Sequence, residues 1–439
     1  VHAQLRPAEV DWNTRPMAHF RGPRDGGEVP TVCLVGGTRP EAIKLGPVAV
    51  AMAEAGRLHP LIVASGQHPT MFHQSLAAFR LRPDVTVPLA RPAGGQAELV
   101  SSLLLQLDAV LAEHRPAAMV VQGDTSTTLA GALAGFWGRL PVVHLEAGLR
   151  SRDLAAPFPE EGNRRLVGQI ASLHLAPTPL AACNLANDGI TGRNVLTIGN
   201  TVVDAVLALS CSRDRYSDAR LVELERRLVS GRRRLVLVTV HRRESWGSPL
   251  RRILRAIVEV IRAVPDVEVV VPAHPNPAVR GEVIRVLADA DRVTITEPLP
   301  YVDLVRLLKH SALVMSDSGG IQEEVASFGR PVLVLREVTE RVEAVEAGFA
   351  VLVGTDQHAI TDGALRLLAA QPEPLGSAGA GGNPFGDGLA RYRAEQAIAW
   401  HLGLAAEPPV PFQPAGPAGP AVPASPAAPL AEASVVAAS

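Results

Sequence analysis

The chain predicts a two-domain α/β protein in which each domain is a doubly wound parallel sheet. Three observations carry this. Short β-branched or aliphatic runs alternate with longer amphipathic runs from Thr31 onward, and the alternation restarts after Ser210. The runs that read as strands are apolar almost throughout, the pattern of parallel strands covered on both faces. A length of 439 residues exceeds one ordinary core, which also favours two domains.

The first series supplies strand candidates at 31–36 (TVCLVG), 60–65 (PLIVAS), 118–123 (AMVVQG), 141–146 (PVVHLE) and 173–178 (LHLAPT), each closed by Gly, Pro or a polar turn. Between them EAIKLGPVAVAMAEAG and AELVSSLLLQLDAVLAEH read as helices. A charged helix over 217–229 opens the second series, with strands at 234–241 (RLVLVTVH), 267–274 (VEVVVPAH), 292–298 (RVTITEP), 312–318 (ALVMSDS) and 331–337 (PVLVLRE). The run PLRRILRAIVEVIRAV sets Leu250, Ile253, Leu254, Ile257, Val260 and Ile261 at the spacing of one buried helical stripe, so these are core positions. The predicted division is a disordered leader over 1–29, an N-terminal domain over 30–203 and a C-terminal domain over 204–375. A glycine-rich link and final helix over 376–402 are expected to pack back on the N-terminal domain, and a Pro/Ala-rich tail over 403–439 is expected to be disordered.

Composition narrows the function classes. A hydrophobic fraction of 47% with 20% charged residues describes a well-packed soluble protein. A net charge of −2 gives no global electrostatic reason to expect nucleic acid or an anionic membrane as partner. The first thirty residues carry no apolar core of a secretory signal, and no apolar stretch would span a bilayer. Cys33, Cys183 and Cys211 are far apart, with neither metal-ligand spacing nor a disulfide framework, which fits a reducing cytoplasm. Lys44 and Lys309 are the only lysines in an arginine-rich chain.

Polar residues gather at the carboxyl ends of the strands: GGTRPEAIK, QGDTSTT, LEAGLRS, VHRRESWG, PAHPNP and SDSGGIQEE. In two facing doubly wound sheets these ends converge on one cleft, where such folds hold ligands. SDSGGIQEE admits two readings. Ser and Asp are favoured N-caps, and early acids suit the helix dipole. Alternatively, Gly319 and Gly320 let backbone N–H groups approach a phosphate, while an acid one turn on reaches ribose hydroxyls. In GGTRPEAIK, Pro40 suits a first helical turn; Arg39 and Lys44 bring two cations, either to surface ion pairs or to a diphosphate. The spacing is not that of a Walker loop.

The acids and histidines form a second theme. Asp124 is an N-cap or a site acid, and Glu146 closes a strand whose other residues look buried. Glu160 stands one helical turn before Arg164, as an i, i+4 ion pair or as two site groups. His241 and His274 end strands of the second series, and carboxylates crowded near His241 would shift one another's pKa values as proton-transfer groups require. No HxH spacing or helix-borne His pair points to a metal.

Seven segments, GTRPEAIKLGPV, GDTSTTLAGALAGF, HLEAGLRS, PEEGNRRLVGQIASLHLAPT, GNTVVDAV, VTVHRRESWG and DSGGIQEEVASFGRPVLVLREVTERVEAVEAG, occur in order between residue 31 and about residue 402. Together they resemble the non-hydrolysing bacterial UDP-N-acetylglucosamine 2-epimerases, and NPFGDG at 383–388 is similar to that family's C-terminal pattern. The resemblance implies a glycosyltransferase-B-like fold: two Rossmann-like doubly wound domains facing across a cleft that holds the nucleotide sugar. It implies interconversion of UDP-GlcNAc and UDP-ManNAc without nicotinamide, metal or other cofactor. The C2 proton is removed as UDP leaves C1, giving bound 2-acetamidoglucal; UDP then adds back as a proton arrives on the other face. A homodimer, and a role in cell-envelope polysaccharide or related glycan synthesis, belong to the same expectation.

By motif, Asp124, Glu146, Glu160 and His241 resemble the groups assigned to proton transfer or leaving-group stabilisation. Arg39, Lys44, Ser318, Gly319, Gly320, Glu324 and Arg341 resemble the UDP-binding set, the Ser318, Gly319 and Gly320 turn holding phosphate and Glu324 the ribose; Arg164, His274 and Leu304 complete the expected substrate contacts. Three departures stand out. After Gln67 and His68, Pro69 and Thr70 stand where the family commonly has an Arg and an acid or amide, and where some bacterial members bind a second UDP-GlcNAc as activator. Leu304 stands where an aromatic residue near the uracil is common, and Val342 where Pro is usual. The alternatives are a hydrolysing 2-epimerase, against which GTRPEAIK speaks, a glycosyltransferase of the same fold, and a nucleotide-sugar-binding protein without activity, against which the complete carboxylate set speaks.

Overall fold

The structure is a computed structural model that describes residues 29–89, 94–212, 214–242, 245–370 and 382–414. The first series forms β1 (Thr31–Gly36), β2 (His59–Ala64), β3 (Val85–Thr86), β4 (Ala118–Gln122), β5 (Val142–Leu145), β6 (Leu173–Ala176) and β7 (Val195–Thr197). These pair in parallel in the order β3-β2-β1-β4-β5-β6-β7, with Val32 opposite Ala118 across β1 and β4. The covering helices are α1 (Arg39–Ala55), α2 (Pro69–Ala77), α3 (Gln96–His114), α4 (Ser126–Trp137), α5 (Glu160–Ile170) and α6 (Pro179–Asn187). All five residues of β4 are buried, as a central parallel strand with helices on both faces requires.

After α7 (Thr201–Leu209) and α8 (Ala219–Val229) comes the second sheet: β8 (Arg234–Thr239), β9 (Val267–Pro272), β10 (Val293–Thr296), β11 (Ser311–Ser316), β12 (Val332–Val334) and β13 (Ala350–Leu352). Its order, β10-β9-β8-β11-β12-β13, repeats the winding of the first, and every pairing is parallel. Its helices are α9 (Ser248–Ala263), α10 (Pro277–Leu287), α11 (Tyr301–His310), α12 (Gly319–Ala326), α13 (Val342–Glu346) and α14 (Gln357–Ala369). The stripe expected on α9 is buried at all six positions. In each sheet the winding reverses beside the first strand, between β1 and β4 and between β8 and β11, and the crevice at such a switch point is where ligands sit.

One cluster of buried side chains joins the two halves. It runs from Val32, Leu34 and Met52 through Val202, Val203 and Val206 of α7 to Leu235, Leu304, Ile321 and Val314. The last helix, α15 (Ala390–His401), contributes Ala394, Ala397 and Ile398 to this cluster. It is tied to the first half by Arg57, whose Nε and Nη2 donate to the Glu395 carboxylate at 2.7 and 2.6 Å.

The structure corrects the expected order at the C-terminus: the chain is built through residue 414 instead of losing structure at 403. The reason is Phe412, which is buried and donates its backbone N–H to Thr197 O at 2.8 Å, while Arg393 Nε donates to Val410 O at 3.1 Å. Residues 1–28, most of the predicted leader, residues 371–381, which end the predicted C-terminal domain and begin the predicted link, and residues 415–439 of the predicted tail lie outside the described residues. Three strands have no counterpart in the sequence reading: β3, β7 and β13 have only two or three residues each, too few to show a period.

Candidate active site

Lys44 is the centre from which the site can be built. It lies on the buried face of α1, and its ammonium donates to Glu146 Oε1, just past β5, and lies 3.8 Å from Glu323 Oε2 on α12. Arg341, at the start of α13, donates through Nε to Glu323 Oε1 at 2.8 Å. Asn200 spans the two carboxylates, with Nδ2 at 3.1 Å from Glu146 Oε1 and 3.1 Å from Glu323 Oε2. Gln122, the last residue of β4, donates to Glu146 Oε2. Two cations and two anions from both halves thus form one buried cluster between the sheets.

The electrostatics of this cluster follow from burial and pairing. Burial alone would raise the Glu146 carboxyl, but Lys44 and Arg341, with hydrogen bonds from Lys44 and Asn200, hold it below the usual carboxylate range. Burial works against the Lys44 ammonium too, yet Glu146 and Glu323 outweigh it and raise its pKa. Backbone conformation brings Glu146 into place: its φ of 64° is in the left-handed region, which costs a non-glycine residue about 1 kcal/mol or more. Gly123, at φ 71°, passes so close that a Cβ there would lie 3.4 Å from Glu146 Oε2.

Asp124, just past β4, and Glu160, the first residue of α5, stand apart from the ion pairs of this cluster. Arg164 on α5 grips Asp124 Oδ2 from Nε at 2.8 Å and from Nη2 at 2.7 Å, and Asn163 Nδ2 donates to the Asp124 carbonyl at 2.8 Å. The i, i+4 pair that the sequence allowed for Glu160 and Arg164 is not formed; Arg164 pairs with Asp124 and, at 3.4 Å, with Glu161. Glu161 is the buried structural acid, accepting from Ser151 N and Arg152 N. Glu160 is half-buried at the first turn of α5, and its carboxylate makes no hydrogen bond or ion pair with another described residue. Glu41 stitches the loops behind, accepting from Gly37 N at 2.9 Å, Thr38 N at 2.8 Å and Thr125 Oγ1 at 2.6 Å.

At the facing edge, the start of α12 bears on the two readings of SDSGGIQEE. Ser318 is the N-cap, but its hydroxyl makes no capping hydrogen bond. Asp317 is turned the other way, towards His241 and its neighbours. The first-turn N–H groups of an α-helix have no intrahelical acceptor, so α12 offers them, with its positive dipole end, to an anion. Gly319 lets Arg341 lie across this turn, since a Cβ there would come within 3.1 Å of the guanidinium carbon. His274 follows β9 and meets the Trp246 ring edge-on with centroids 5.6 Å apart. Its pKa is lowered, first by burial and then by His241.

Glu324, the next residue round α12 from Glu323, has a different environment. It is buried, its Oε2 has no hydrogen-bond partner, and the Tyr301 hydroxyl approaches it without reaching hydrogen-bond geometry. Burial raises its pKa to about 7, against the pull of Arg39. A buried acid with an unused oxygen beside a buried unused hydroxyl suits a ligand that supplies hydroxyl groups. Leu304 packs in the hydrophobic cluster, one turn on from Tyr301 on α11.

Lys44, Glu146 and Arg341 therefore share one cluster; Asp124 and Arg164 pair, with Glu160 one turn before Arg164. Arg39 faces Glu324, and the Ser318, Gly319 and Gly320 turn opens α12. The sequence reading gave Asp317 and Glu323 only roles at the start of a helix, and gave Asn200, Gln122 and Tyr301 none. Asn200 and Glu323 stood inside quoted motifs, but nothing local marks a motif residue as buried against a charge from the other half. Arg243 and Glu244 of VTVHRRESWG lie outside the described residues. Among the described residues no group of three or more His, Cys, Asp or Glu could hold a metal ion, and no helix is long and apolar enough to cross a membrane.

Comparison with known proteins follows the same lines. The family model described as UDP-N-acetylglucosamine 2-epimerase matches residues 50–399. A UDP-N-acetylglucosamine 2-epimerase of Yersinia pestis is 41% identical over 374 residues, covering 84% of this chain and 98% of the relative. The co-structure of S. aureus MnaA with UDP superposes with a TM-score of 0.78 at 38% identity, covering 88% of this chain and 100% of that one. The crystal structure of UDP-GlcNAc 2-epimerase from Neisseria meningitidis bound to UDP-GlcNAc gives a TM-score of 0.75 at 34% identity, covering 84% and 100%.

Proposed function

The chain belongs to the UDP-N-acetylglucosamine 2-epimerase family, and on that premise we propose that it interconverts UDP-GlcNAc and UDP-ManNAc by the non-hydrolysing route. The observation that carries the reading is the buried cluster of Lys44, Glu146, Glu323 and Arg341 under the opening of α12. A diphosphate seated on the α12 N–H groups meets Arg341 and Lys44, which stabilise the charge that grows as the C1–O bond breaks. The electron pair of that bond leaves with UDP, the C2 proton leaves to a base, and the sugar becomes 2-acetamidoglucal. Re-addition of UDP at C1 with a proton delivered to the opposite face of C2 gives the epimer. Atoms and electrons balance without an oxidant.

Three of the four acid/base candidates separate by their partners here, and the fourth, His241, has its ring against Asp317. Glu146 is fully engaged by Lys44, Gln122 and Asn200, which suits holding the ammonium in place and balancing its charge. Asp124 and Glu160 flank Arg164 and supply carboxylates for proton removal and return. Glu324, with Tyr301 beside it, takes the ribose hydroxyls. In this reading residues 30–203 and 204–375 act as the two jaws, with α15 returning to the first.

A homodimer and a cytoplasmic location belong to the same proposal. Leu105 of α3, Phe136 and Trp137 of α4 and Leu166 of α5 are exposed apolar residues on adjacent helices, an area that a second copy can cover. Cys33, Cys183 and Cys211 are free thiols, in keeping with a reducing compartment. The experiment is proton NMR of the protein with UDP-GlcNAc in D2O. UDP-ManNAc carrying deuterium at C2, without free ManNAc, is the expected result. Accumulating ManNAc and UDP would replace the reading with the hydrolysing reaction, and an inert substrate would reject both.

A further inference from the structure

Asp317 stands outside the expected site residues, yet it joins the two elements that face the ligand. It follows β11, precedes the N-cap of α12, and is fully buried. Its two oxygens accept the His241 N–H at 3.2 and 3.1 Å; Oδ2 also accepts the Arg242 N–H at 3.0 Å and the Ser245 hydroxyl at 2.9 Å. The remaining contact is with the ring, where His241 Nδ1 lies 3.1 Å from Asp317 Oδ1. Burial would raise this carboxyl, but His241 and the donors around it bring it below its ordinary value, so it stays an anion and accepts only. An anionic acceptor against Nδ1 keeps the proton on that nitrogen. The ring is half exposed, which leaves Nε2 for a ligand.

We propose that Asp317 is the positioning residue for His241: its carboxylate keeps Nδ1 protonated, presents Nε2 to the diphosphate sugar, and ties the ring to the start of α12. The proposal rests on the epimerase reading of the cleft and adds a residue to it. Asp317 is followed at once by Ser318, Gly319 and Gly320, so a diphosphate on α12 and the His241 ring are held in one register by a single buried side chain. A flexible His241 would sample orientations that face away from the leaving oxygen, and catalysis depends on such a group being fixed before the bond breaks.

The test is a double-mutant cycle on epimerisation of UDP-GlcNAc. Asn at 317 keeps the size and can accept backbone N–H groups, but it can present an amide N–H to Nδ1. Asp317→Asn is expected to lower kcat roughly a hundredfold or more, as loss of the orienting carboxylate does in catalytic triads. Its Kd for UDP is expected to stay within roughly threefold of wild type, the sign of an interaction lost only in the transition state. In a His241→Gln background the same substitution is expected to change kcat by no more than roughly twofold, because the ring it acts through is gone. Effects that multiply, or UDP binding lost in step with kcat, overturn the proposal. Ser245→Ala removes a donor from the same carboxylate without touching Nδ1 and is expected to leave kcat within roughly threefold; a loss equal to that of Asp317→Asn would show that the loop, not the ring, is what matters. Wild-type protein unable to epimerise UDP-GlcNAc would strike the functional reading, whereas an active wild type with multiplying effects strikes Asp317 alone.

Discussion

Replacing Lys44 with Met removes an ammonium from the buried cluster and keeps a stem of similar length. Lys44 and Arg341 face Glu146 and Glu323, with side-chain exposures of 9, 11, 7 and 1% respectively, so the charges are two against two away from water. Removing one partner from such a cluster leaves a carboxylate uncompensated, which costs about 3–5 kcal/mol. Arg341, Gln122 and Asn200 still contact the two carboxylates, so the lower end, about 3 kcal/mol, applies here. For units of this size each kcal/mol moves the melting point by about 2–4 °C, so a fall of about 6–12 °C is expected.

The pH dependence of that loss has a definite sign. In the wild type, burial raises the Glu146 carboxyl, but Lys44 and Arg341 bring it below 4.5. Its contribution to stability is therefore present above the unfolded value and lost as pH falls through the folded one. Without Lys44 burial gains weight, Glu146 takes up a proton at higher pH, and the gap between wild type and variant is widest at about pH 8 and narrows towards about pH 5. Thermal unfolding without ligand across that range is the assay. A melting point within about 2 °C of wild type at pH 8, or a gap that ignores pH, would refute the buried cluster.

Asp124→Asn is expected to abolish measurable epimerisation while UDP titrates with a Kd close to that of the wild type; activity near wild type would remove Asp124 from the proton-transfer set. Glu324→Ala is expected to weaken UDP binding, checked by calorimetry, and an unchanged Kd would contradict its ribose role. Gly319→Ala places a methyl group 3.1 Å from the Arg341 guanidinium carbon, so it is expected to raise the UDP Kd roughly tenfold by displacing a cation that is held by Glu323; full affinity would mean that Arg341 has room to move. Asp204 on α7 is buried, with Oδ2 unpartnered, and burial raises its pKa from 3.8 to about 7. The folded state then binds more protons than the unfolded state between those values, and stability falls as pH rises through the window. Asp204→Asn is therefore expected to melt higher than wild type at about pH 8 and level with it at about pH 4; a constant difference would refute the raised pKa.

The fold was legible in the sequence because its signals are local. A parallel strand covered on both faces must be apolar along its length, and the helices between must carry an apolar stripe, so both show as runs and spacings within a dozen residues. The strand-end clusters were legible for a related reason: polar side chains at the end of a buried strand point to a crevice in a doubly wound fold. Edge strands β3, β7 and β13 escaped because two or three residues have no period. Phe412 escaped because a single aromatic residue among prolines and alanines gives no sign of the pocket that receives it.

The sequence by itself determined the two doubly wound sheets, the place of the cleft, and the fall of Lys44, Asp124, Glu146 and Ser318 in the polar clusters at the strand ends. Only the tertiary structure decided who pairs with whom. Glu323 and Glu324 are adjacent in one helix, yet Glu323 meets Lys44, Asn200 and Arg341 while Glu324 meets Arg39 and Tyr301. Arg164 passed over Glu160 for Asp124, forty residues away in sequence. Asp317, next to the N-cap, turned back to His241 instead of capping α12. Helical spacing fixes the direction in which a side chain leaves its own element, but the energy of a charge in a desolvated interior depends on the charges that other elements bring against it.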